Sequence, residues 1–93
     1  MEVADVNLDS LLSALKNKEF TTVKNWVVQH MDNDPSMVMR KIYDSIYGVM
    51  KPASIPEAVL IIAKYMRDIQ IVPEQEVNML ACLTEIMMSC EFK

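Results

Sequence analysis

The segment Ser54-Ile55-Pro56-Glu57, followed by the unbroken apolar run at 58–63, constrains this chain more than any other stretch. Serine with glutamate three residues on is a capping-box pattern: the serine oxygen accepts from the third helical N–H and Glu57 reaches back. Proline is tolerated in the first helical turn, where its missing N–H has no intrahelical partner. The run from Ala58 to Ala63 is apolar on nearly every side of the helix it belongs to, so the expected helix over 55–68 should be central, packed by others all round. Pro73, with Glu74 and Glu76 suited to the positive end of a helix dipole, opens another helix over about 73–90.

The upstream half repeats the helical pattern. Leu8, Leu11, Leu12 and Leu15 fall on one helical face, with Asn7 or Asp9 available to cap it, which predicts a helix over about 8–16. After a short polar break at Asn17-Lys18, Phe20, Val23, Trp26 and Val27 share a second face, predicting a helix over about 18–30 with Trp26 as its largest buried side chain. Asp34-Pro35 is a cap followed by a proline suited to the first helical position, so a third helix is expected over about 35–47, closed by Gly48 in the left-handed conformation. No strand-like alternation, internal repeat or low-complexity tract is present. The expectation is all-α: one compact five-helix bundle, with a single modest core covering roughly 60% of the unfolded surface.

Composition and motifs narrow the chemistry. Nine basic residues scattered among thirteen acidic ones, a net charge of −4, do not form the clustered positive face that duplex binding needs. Cys82 and Cys90 lie eight residues apart on one expected helix, about 12 Å at 1.5 Å rise per residue, beyond disulfide reach; free thiols in a reducing cytosol are expected. His30 with these cysteines supplies at most three soft ligands, one short of a structural zinc site. A Cys–His catalytic pair is disfavoured, because an apolar helix raises the thiol pKa. Asp32-Asn33-Asp34 opens like a calcium loop, but Met37 and Tyr43 stand where the loop needs glycine and a bidentate glutamate, so capping is the better reading. With Gly48 as the chain's one glycine, followed by Val49-Met50-Lys51, no phosphate-binding loop can be built, and no apolar run ends in the acidic pair of a magnesium site. No signal-peptide pattern and no membrane-length apolar run is present. No cofactor, metal or catalytic residue is therefore expected.

A chain this small with 52% hydrophobic residues has more apolar side chains than it can hide. If Val38, Ile42, Ile46, Val77, Leu80 and Leu83 face the core, some of Met37, Met39, Met79, Met87 and Met88 must face outward, where flexible thioethers adapt to partners. Tyr43, Tyr47 and Tyr65 are natural anchors beside them, because a ring buries area while its hydroxyl stays wet. The expected contact surface accordingly comprises Tyr43, Tyr47, Tyr65, Met39 and Met87.

Residues 51–65, KPASIPEAVLIIAKY, and 81–93, ACLTEIMMSCEFK, resemble the C-terminal end of the large subunit of T-even-type bacteriophage sliding-clamp loaders. Residues 8–47 are similar to the preceding helices of that family, so the resemblance covers nearly the whole chain. It implies membership of the AAA+ clamp-loader ATPases and, for this segment, the helical collar that joins subunits into a ring. The implied partners are other clamp-loader subunits, of the same and of different kinds. Nucleotide, sliding clamp and primed DNA would be handled by domains outside these residues, and the location implied is the host cytoplasm. A free-standing small adaptor that binds loader or other replication proteins through the same surface is the alternative.

Overall fold

Six residues of the last helix, Asn78, Met79, Cys82, Leu83, Ile86 and Met87, are buried, more than any other helix contributes. The computed structural model describes residues 8–30 and 34–93. Its helices are α1 (Asp9–Lys16), α2 (Phe20–Gln29), α3 (Pro35–Val49), α4 (Ile55–Asp68) and α5 (Gln75–Ser89), with a single 3₁₀ turn at Pro52–Ser54. The fold is an all-α five-helix bundle. Helix α5 packs against α1, α2 and α4, while α3 packs against α4 and α1 against α2.

The central helix is therefore α5, not α4. Ala58, Ile61 and Ile62 of α4 are buried, but Leu60 is 72% exposed and Ala63 lies on the surface. The 58–63 run is continuous because α4 has an apolar side turned to solvent as well as one turned to the core.

The expected capping box does not form. Ser54 belongs to the 3₁₀ turn and has helical dihedrals, so its hydroxyl makes no cap bond. Instead its Oγ accepts from the Glu91 N–H at 2.9 Å. That bond fastens the chain's end to the start of α4, beside an antiparallel bridge between Met50 and Phe92 in which Lys51 N–H donates to Glu91 and Lys93 N–H donates to Val49. This pairing also explains how α3 ends. Gly48 is helical rather than left-handed, α3 continues to Val49, and Met50 turns extended to pair with Phe92.

Asp34 caps α3 as expected, accepting from the Ser36 N–H at 3.0 Å. Asp32 and Asn33 lie outside the described residues. Among the described residues the left-handed one is Lys18, with φ of 58°. The N–H groups of Lys18 and Glu19 donate to the carbonyls of Leu15 and Ala14, a Schellman closure of α1 that normally uses glycine. A lysine in this conformation costs about 1–2 kcal/mol, and its Nζ gains a 2.6 Å bond to the Met87 carbonyl at the end of α5. Helix α2 consequently starts at Phe20, two residues later than the periodicity implies.

Candidate association surface

The core closes without several large apolar side chains. Leu60, Val77 and Met88 are 72%, 63% and 70% exposed, and Phe20 and Val28 are about half exposed. Along α5 the buried positions Met79, Cys82, Leu83 and Ile86 recur at helical spacing, and a second line, Val77, Leu80, Ala81, Thr84 and Met88, apolar but for the Thr84 hydroxyl, runs beside them on the outer side. With Phe20 of α2 as a wall, this line forms an open groove of about 430 Å³ whose only charged lining residues are Glu76 and Glu85. A second depression shares Glu85 and is lined by Pro56, Glu57 and Leu60 of α4.

Between the two depressions sits a polar cluster. Lys64 Nζ lies 3.0 Å from Glu85 Oε1, and the Tyr65 hydroxyl donates to the same oxygen at 2.9 Å. Lys64 foremost, and then the Tyr65 hydroxyl, hold the Glu85 carboxyl below the usual carboxylate range. Burial, followed by the bond to Glu85, pushes the Tyr65 hydroxyl up to about 12. The cluster links Lys64 and Tyr65 of α4 to Glu85 of α5 across the seam, while the apolar side chains on either side remain open.

The tyrosines do not form one surface. Tyr43 and Tyr47 meet on α3, edge to face with centroids 5.5 Å apart, their hydroxyls bonded at 3.0 Å and Arg40 over the Tyr43 ring. Tyr47 is half exposed and Tyr43 partly buried. Tyr65 belongs to the α4–α5 seam instead.

Met39 and Met87 are not surface residues. Met39 is fully buried on α3 with its sulfur 3.8 Å from the Cys82 thiol, and Met87 is 4% exposed. Val77 takes the place expected for them. The sequence holds the signal that separates the two sides of α5: 79, 82, 83 and 86 form one helical line and 77, 80, 81, 84 and 88 another. Periodicity alone does not say which line is inside, because both are apolar.

Cys82 and Cys90 are free and buried. Burial, and secondarily Glu85, pushes the Cys82 thiol up to about 12, and burial raises that of Cys90. Both should resist a thiol reagent at pH 8 in the folded chain and react fully once urea unfolds it. Rapid labelling of Cys82 in the folded chain, followed by absorbance, would show that the α5 seam opens. His30 is placed elsewhere: its ring stacks on Trp26 at 4.1 Å and its Nδ1 donates to the Trp26 carbonyl. Among the described residues no group of three His, Cys, Asp or Glu side chains is arranged to hold a metal, and no helix is long and apolar enough to cross a membrane. No protein-family model matches the chain, and no curated protein matches it.

Proposed function

We propose that this chain is a non-catalytic association module, the helical collar of a clamp-loader-type subunit, holding AAA+ subunits in a ring while their ATPase domains place a sliding clamp on primed DNA. The observation that carries this reading is the apolar surface left outside a closed core: the outer line of α5 with the neighbouring Leu60, and separately the Tyr43–Tyr47 pair on α3. A subunit within a ring uses two different surfaces, one for each of its two neighbours. These two surfaces lie on different helices, and α4 packs against both helices. The partners are other loader subunits, and the domain's own contribution is binding.

The test is co-purification of the tagged chain with full-length subunits of a T-even-type clamp loader. The parent chain should be retained. Tyr43→Glu with Tyr47→Glu, confirmed folded by circular dichroism, should lose most of that retention, because it places two charges on one face of α3, a turn apart. Equal retention of the folded double variant would remove α3 from the contact, and failure of the parent to associate with any loader subunit would remove the collar reading itself.

A further inference from the structure

The groove on the outer side of α5 has a shape and a charge pattern that select what fills it. Val77 and Met88, at its two ends, are eleven residues apart, about 16 Å at 1.5 Å rise per residue, or three helical turns. Its floor is apolar, and Phe20 walls one side. That is the footprint of one short helix laid into a groove by anchors spaced i, i+3/i+4 and i+7.

No lysine, arginine or histidine lines the groove. Its two charges are carboxylates, Glu76 and Glu85. Lys64 approaches Glu85 from the α4 side, whereas Glu76 has no ion-pair partner among the described residues. A second copy docking through the same face would set these carboxylates against their own counterparts, and like charges brought together across an interface oppose binding. An anionic phosphate surface meets the same repulsion.

We propose that the groove receives a single amphipathic helix of another protein whose apolar stripe is flanked by lysine or arginine. The proposal rests on reading the chain as an association module and specifies the element its partner supplies. Leucine-like side chains of that helix cover Val77, Leu80 and Met88, and its flanking cations pair with Glu76 and with the outer edge of Glu85.

Two labelled synthetic helical peptides with the same leucine stripe, one flanked by lysines and one by glutamates, test this by fluorescence anisotropy on the full chain. The lysine-flanked peptide should bind about tenfold more tightly or better, in keeping with charge complementarity at an interface rim. Glu76→Lys should shift the preference toward the glutamate-flanked peptide. Val77→Asp with Met88→Asp, both at exposed positions and checked for folding by circular dichroism, should abolish binding of either. Equal binding of the two peptides by the parent, or binding that survives in the double aspartate variant, overturns the proposal. So does sedimentation showing a dimer of the parent that the aspartate pair dissolves, because the groove is then occupied by a second copy. If neither peptide binds while the chain still co-purifies with loader subunits, the groove proposal fails and the association reading stands; if both fail, both are wrong.

Discussion

Replacing Trp26 with alanine should remove about 3–5 kcal/mol of stability, a large share of the roughly 5–15 kcal/mol that holds a domain of this kind together. The tryptophan is 4% exposed on α2, the helix that packs against both α1 and α5. Its ring also stacks on His30. Alanine would leave a void in the packing of α2 and remove the ring on which His30 stacks, and a bundle with so short a neighbour as the eight-residue α1 has little means of closing it. Trp26→Phe, which keeps an aromatic filler, should lose distinctly less. Urea melts followed by circular dichroism measure both; a loss under about 1 kcal/mol for the alanine variant, the range of ordinary surface changes, would contradict the packing described for α2.

Met39→Ala should be nearly as damaging, at about 2–5 kcal/mol. The sequence points to Met39 as a contact residue for a partner, and burial against Cys82 makes it a core residue instead. Met88→Ala is the matched comparison, since Met88 is 70% exposed on the outer line of α5. That change should stay within about 0.5 kcal/mol. The same urea melts separate the two outcomes, and similar losses for both variants would mean that Met39 is not a core residue of α3 or that Met88 is not on the surface of α5.

The helices themselves were legible because apolar periodicity runs over long segments and helix-start residues agree with it: Asp34 caps α3 ahead of Pro35, Pro56 and Glu57 sit in the first turn of α4, and the Leu8 to Leu15 spacing gives α1. What was not legible depends on contacts distant in sequence. Ser54 carries a capping signal, yet its hydroxyl serves Glu91, thirty-seven residues away. Gly48 looks like a helix stop, yet α3 ends where Met50 meets Phe92. Lys18 shows how a lysine can hold a position that usually goes to glycine, because its side chain reaches the end of α5. Of the exposed surface the sequence singles out, Tyr43 and Tyr47 do come together on α3, while Met39 and Met87 are buried. Which methionines and valines compose the rest was undecidable from a helix that is apolar along two lines.

The most direct test of an association surface on α5 is its footprint by nuclear magnetic resonance: isotope-labelled chain, titrated with an unlabelled full-length clamp-loader subunit. With an association surface on α5, the largest amide and methyl shifts should fall on Val77, Leu80, Ala81, Thr84 and Met88, with Phe20 and Leu60 beside them and the buried line through Met79 and Leu83 much less affected. Binding that leaves the outer line of α5 unshifted, or a titration with no shifts anywhere, would contradict it.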